Sequence, residues 1–206
     1  MGSGCGSASH TATPTTRPSK PVAHRVVIDP PVMSQDGKRI AFVKHVITKH
    51  TGGIGYLEVG RSTGRETRTL YVSNDACCSG LVWASPGLIV FDDDYRVKTI
   101  DVATGRVTRI ADFSDFAVSD DGRLVAGWAN SGGHSAQTIG IVSIMGTGCR
   151  VVPKPTNADD SEPRFSADGK RLFFTRRSFN TTPEGPGRVL SVPLSRLRRH
   201  SAVGTC

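Results

Sequence analysis

Short apolar runs separated by glycine-containing turns fill this chain from residue 26 to residue 195. Tyr56-Leu57-Glu58-Val59, Thr99-Ile100-Asp101-Val102 and Leu172-Phe173-Phe174 have the length of strands. The segments between them are rich in Gly, Asp, Ser and Thr, which bond their own backbone or tolerate positive φ. One pattern recurs. Met33-Ser34-Gln35-Asp36-Gly37-Lys38-Arg39-Ile40-Ala41-Phe42, Val118-Ser119-Asp120-Asp121-Gly122-Arg123-Leu124-Val125-Ala126 and Phe165-Ser166-Ala167-Asp168-Gly169-Lys170-Arg171-Leu172-Phe173-Phe174 are copies of one unit. A decayed copy without the Asp is Trp83-Ala84-Ser85-Pro86-Gly87-Leu88-Ile89-Val90-Phe91. The shared glycines, Gly37, Gly87, Gly122 and Gly169, are spaced 50, 35 and 47 residues apart. Asp36, Asp121 and Asp168 are expected to tie each turn by accepting backbone N–H groups, while the glycine takes the positive φ. A second landmark, Thr63-Gly64, Thr104-Gly105 and Thr147-Gly148, recurs at 41 and 43 residues. Each unit therefore reads strand, Asp-Gly turn, strand, loop, strand, Thr-Gly turn, strand, which is a four-stranded antiparallel sheet.

Units of this length are what a β-propeller arranges around an axis. Pro163-Arg164-Phe165-Ser166-Ala167-Asp168-Gly169-Lys170-Arg171-Leu172-Phe173-Phe174 closely resembles the repeat of TolB-like propellers, found also in the propeller domains of prolyl oligopeptidase relatives. Where that pattern usually has Pro before the Asp, this chain has Gln35, Asp120 and Ala167. The resemblance implies an all-β fold: a propeller-like array of about four four-stranded antiparallel blades over residues 25–206. It also implies an exported, non-enzymatic binding or scaffold module of the bacterial cell envelope, holding a protein, peptide or anionic polymer on one face. The alternative is a propeller enzyme of hydrolase or lyase type with its site in the central cavity. Residues from Arg196 onward are expected to supply an outer strand to the fourth blade. This repeat type normally closes with more than four blades, so the expectation is either a strained ring or an open arc completed by another copy or a partner.

Residues 1–24 change the picture of location. They are dominated by Ser, Thr, Pro, Gly and Ala without hydrophobic periodicity, so they are expected to form a disordered tether. Gly2-Ser3-Gly4-Cys5 resembles the end of a bacterial lipobox, which makes Cys5 a candidate lipidation site and the outer side of the cell membrane the expected location. The competing reading is a chance cysteine in a Gly-Ser tail. The four other cysteines, Cys77, Cys78, Cys149 and Cys206, suit disulfides outside the cytoplasm, with Cys149 and Cys206 the candidate pair.

Charge and candidate chemistry change it less. The net charge is +8, with Lys38, Arg39, Arg65, Arg106, Arg123, Lys170 and Arg171 all beside turns. That is a solvated surface or an attraction to anionic polymers or lipid headgroups. No nucleic-acid-binding motif occurs, and no nucleic-acid partner is expected. No Gly-x-Ser-x-Gly elbow is encoded. The six histidines show no metal-ligand spacing, and no cofactor, metal or catalytic residue is expected. Asp92-Asp93-Asp94 reads as a polar turn rather than a cation site. Asp159, Asp160 and Glu162 are candidate ligand-binding residues, or a solvated loop.

Overall fold

The computed structural model describes residues 25–48, 52–74, 78–129, 138–153, 155, 157–178 and 187–199. The expected tether with Cys5 lies outside them, as do Cys77 and Cys206. Four antiparallel sheets follow one another along the chain. The first holds β1 (Arg25–Ile28), β2 (Val32–Met33), β3 (Arg39–Thr48), β4 (Gly52–Arg61) and β5 (Arg68–Ser73). The second holds β6 (Ser79–Ser85), β7 (Leu88–Asp92), β8 (Val97–Asp101) and β9 (Val107–Ala111). The third holds β10 (Phe113–Val118), β11 (Leu124–Ala129), β12 (Thr138–Ser143) and β13 (Arg150–Val151), and the fourth β14 (Ala158–Phe165), β15 (Arg171–Ser178) and β16 (Arg188–Pro193). The first strands of neighbouring sheets touch one another, as strands nearest a shared axis do.

The all-β expectation holds, with two departures from four strands per blade. In the first blade, Pro30 and Pro31 divide the innermost strand into β1 and β2, both paired with β3. Proline has no N–H to give the ladder. In the fourth blade the last strand is diverted. A 3₁₀ turn at Leu194–Arg196 stands where a Thr-Gly turn would be, and β17 (Arg198–Arg199) pairs with β13 of the third blade instead.

The Ser-x-Asp-Gly turns form as their chemistry requires. Ser34 Oγ donates to Asp36 Oδ1 at 2.7 Å, the Lys38 N–H donates to the same oxygen, and the Arg39 N–H donates to Ser34 Oγ. Ser119/Asp121 and Ser166/Asp168 repeat the arrangement. The serine hydroxyl and then the backbone N–H hold all three carboxyls below the usual carboxylate range. In the third blade the second landmark shifts: the Gly146 N–H closes onto the Ser143 carbonyl, so Gly146 takes the turn that Gly148 was expected to take.

Each sheet turns a leading face toward the preceding blade and a trailing face toward the following one. Ala41, Val43, Leu57 and Val59 on the first trailing face pack on Trp83, Ile89, Phe91 and Ile100 of the second blade. Ala84 and Val90 pack on Phe113, Val125 and Val142. Ala126, Ile139 and Ile141 pack on Leu172 and Phe174. Each buried Val, Leu, Ile or Phe among them is worth about 1.5–3 kcal/mol. Trp83 Nε1 also donates to the Val32 carbonyl at 2.9 Å, tying the first two blades.

Gly122 and Gly169 occupy the same turn position with φ of 68° and 64°, but their surroundings differ. A Cβ on Gly122 would lie 1.9 Å from the Ala84 carbonyl oxygen of the preceding blade, whereas one on Gly169 meets nothing within 4 Å. Gly169→Ala is therefore expected to lose about 1–2 kcal/mol from the left-handed backbone alone, and Gly122→Ala clearly more. Urea midpoints of the two variants test this; equal losses would contradict the interblade contact.

Candidate functional site

The antiparallel order gives the array two distinct ends. The Ser-x-Asp-Gly and Thr-Gly turns share one end. It gathers Lys38, Arg39, Arg65, Arg106, Arg123, Lys170 and Arg171, but also Asp36, Glu66, Asp101, Asp120, Asp121 and Asp168. Arg61 pairs with Glu66 at 2.7 Å there, and the turn end stays net basic. The opposite end, where inner strands begin and second strands finish, holds the unusual groups.

Its first feature is a bulge repeated in the inner strand. Ladder register shifts between Ser79 and Val82, Ser114 and Ala117, and Ser161 and Arg164. Each shift contains a left-handed residue, respectively Gly80 (φ 63°), Asp115 (φ 47°) and Glu162 (φ 54°). All three lie seven residues before the turn glycine of their blade, and Pro30 holds that position in the first blade. An extra residue twists the strand and re-aims its neighbours, and left-handed non-glycine residues mark strained, often functional positions. The bulges meet across blades. The Glu162 N–H donates to Asp115 Oδ2 at 3.2 Å, and Thr175 Oγ1 donates to Glu162 Oε2 at 2.9 Å. Gly80 faces the Phe116 ring, which a Cβ there would approach to 2.7 Å.

The second feature is a pair of ion networks at the same end. Asp93 is buried and accepts from Tyr71 Oη at 2.6 Å, from Ser73 Oγ at 3.0 Å and from Lys98 Nζ, joining the first and second blades. Burial, then the bond to Asp93, raises the Tyr71 pKa. Burial opposes the Lys98 ammonium, yet its bonds to Asp93 and Tyr71 outweigh that cost and raise its pKa. Both groups therefore keep their protons at neutral pH, as a fixed charge clamp. Asp160 is fully buried and held bidentately by Arg176, Nε to Oδ1 at 2.6 Å and Nη2 to Oδ2 at 2.8 Å. Arg176 also donates to the Pro153 carbonyl at 3.1 Å.

The expected site residues are thus distributed unevenly. Asp159, Asp160 and Glu162 lie within β14 rather than in a loop. Glu162 sits at the bulge, while Asp160 is committed to Arg176. Asp92 closes β7, and Asp94 and Tyr95 are left-handed (φ 56° and 59°), the pairing of a tight hairpin. Asp93 is the member of that triplet the turn reading missed, because its partners Tyr71 and Ser73 come from another blade. Burial pushes the Asp92 carboxyl up, and Asp92 Oδ1 and Trp128 Nε1 find no hydrogen-bond partner among the described residues. Those two residues and Thr175 hold matched places opposite the bulges. His45 Nε2 lies 3.1 Å from Asp29 Oδ2 at the same end. Cys78 is buried and Cys149 is disulfide-bonded. Among the described residues no group of three His, Cys, Asp or Glu could hold a metal, and no helix is long and apolar enough to cross a membrane.

No family model and no curated protein matches this chain. Solved structures do. A puromycin hydrolase superposes with a TM-score of 0.64 at 20% identity, covering 88% of this chain and 30% of the hydrolase chain. TolB from Acinetobacter baumannii gives 0.58 at 18% identity, covering 82% of this chain and 43% of TolB. An oligogalacturonate lyase from Vibrio parahaemolyticus gives 0.55 at 12% identity, covering 78% and 52%. The chain spans less than a third of the hydrolase it matches. The shared architecture is that of TolB-like propellers, and the expectation of such a fold holds. The expectation of a non-enzymatic chain needs correcting: solved structures of this architecture include a hydrolase and a lyase, so the resemblance to TolB-like repeats did not license that exclusion.

Arg176→Met would leave the Asp160 carboxylate buried and unpaired, so a loss of roughly 3–5 kcal/mol is expected. Arg176→Met with Asp160→Leu should recover much of it. Urea unfolding of both variants checks this, and a double variant no better than the single one would contradict the pairing.

Proposed function

We propose that this chain is the propeller part of a hydrolase- or lyase-type enzyme, and that the loop end of its inner strands handles substrate. The observation that carries the reading is the repeated bulge, which sets Asp115 and Glu162 side by side on the innermost strands. Strain is retained there in two successive blades, where Gly or Asn would sit at lower cost. The hydrolase and lyase among the solved structures support it. The substrates they are named for suggest what to try, puromycin and an oligogalacturonate. Titration calorimetry of the folded chain should detect saturable binding of one of them. Asp115→Asn and Glu162→Gln should each weaken about tenfold the binding of a ligand that donates to the carboxylate, as loss of a charge-assisted hydrogen bond does. An anionic oligogalacturonate should bind no more weakly to either variant. No binding of either ligand by a chain with a native β spectrum would overturn the proposal.

The chain is proposed to work outside the cytoplasm, tethered through a lipid on Cys5. The disulfide at Cys149 supports export, because such bonds persist in oxidising compartments. The Gly2-Ser3-Gly4-Cys5 stretch supports the anchor. Expressed behind a lipoprotein export signal, the chain should fractionate with membranes and Cys5→Ser should be released, since several acyl chains anchor stably where one does not. Equal membrane association of the two would count against lipidation.

A further inference from the structure

Every internal interface here is one step repeated: a trailing face laid on the leading face of the next blade. On the leading faces the matched side chains Ile89, Val125 and Leu172 are all 0% exposed. Ile40 holds the same place in the first blade, whose leading face has no described blade before it. Val26, Ile28 and Met33, exposed by 52%, 58% and 54%, lie on that face by their register with Val46, Lys44 and Ile40. The trailing face of the fourth blade is the complementary case. Phe173 stands where Ala41, Val90 and Ala126 are buried, yet it is 38% exposed, and Val189 on the same face is 72% exposed. The axis repeats the asymmetry. Asp115 accepts the N–H of the next bulge, while Glu162, at the matched place, has only Thr175 of its own blade on its carboxylate among the described contacts.

We propose that a second copy of this chain covers these faces: the trailing face of the fourth blade of one copy packs on the leading face of the first blade of the other. The two surfaces are the two halves of an interface that the chain builds three times within itself. Apolar faces of this kind mark association sites, and two arcs joined head to tail close a ring when the blade rotation allows it. Glu162 would then accept an N–H from the first inner strand of its partner, as Asp115 does from Glu162. Pro30 at the matched position lacks an N–H, so that donor is a neighbouring residue of the same strand.

Sedimentation of the full chain tests this. Wild type should show at least twice the mass of one chain and dissociate on dilution. Ile28→Lys with Met33→Lys breaks the leading face, and Phe173→Lys with Val189→Lys breaks the trailing face; each variant should be monomeric with a native β spectrum. Mixing the two should restore a one-to-one complex, because one intact contact remains. A monomeric wild type overturns the proposal and leaves the faces to another polypeptide or segment. So does an assembly that survives either variant, which would be face-to-face pairing. The wild-type mass needs no variant to fold. Substrate binding is measured separately, so failure here is distinct from failure of the enzymatic reading.

Discussion

A β-sheet that is apolar on both faces must be covered on both, and this requirement organises the whole molecule. One blade alone would expose Ile89 and Phe91 on one side and Ala84 and Val90 on the other; between its neighbours all four are buried. Stability is therefore shared between adjacent blades rather than held within each, as in other repeat arrays. The polar interblade ties follow the same stacking. Trp83 reaches the Val32 carbonyl, and Tyr71 and Ser73 reach Asp93, because the apolar faces have already brought the strands into range.

Stacking also explains where unusual chemistry concentrates. Neighbouring inner strands approach each other more closely than outer ones, so a regular ladder there leaves little freedom to re-aim a side chain. The bulge supplies it. With an extra residue in left-handed conformation, Asp115 is placed to accept a backbone N–H from the next blade. The turn end also carries a register shift, between Trp83 and Ser85, and a left-handed Glu66, but its chemistry is spent locally. Its aspartates are consumed by their own serines and backbone, which leaves a low-chemistry rim beneath a chemically varied one.

What could be read in the sequence was local. Ser34, Asp36 and Gly37 build their turn from residues within six positions, so the motif and the structure coincide. The Asp92–Asp94 turn was legible for the same reason. The bulges were not, although they keep a fixed offset from the turn glycines: Pro30, Gly80, Asp115 and Glu162 share a backbone position but no side-chain type. Asp93 and Asp160 were illegible as ion-pair centres because their partners are set by packing or by cross-strand register. Asp160 meets Arg176 sixteen residues on, and Asp93 meets Tyr71 across a blade boundary.

The diverted last strand shows how the same constraint handles edges. Residues 194–199 could in principle have completed the fourth blade, but no glycine stands near Ser195 to reverse the chain tightly. Pro193 ends β16 extended, with φ −63° and ψ 134°, and the 3₁₀ turn buries Leu194 and Leu197 against Leu172 and Phe174. That burial draws the chain back toward the third blade, where Arg198 and Arg199 pair with Val151 and Arg150. The third blade gains a covered edge, and β16 is left as the outermost strand of the fourth among the described residues. Arg188 and Pro193 at its ends suit that exposure, since charge and proline both discourage edge-to-edge pairing. Protection of the edge does not extend to the face. Val189 projects from the same strand into the open, so any further association is directed toward face stacking rather than strand addition.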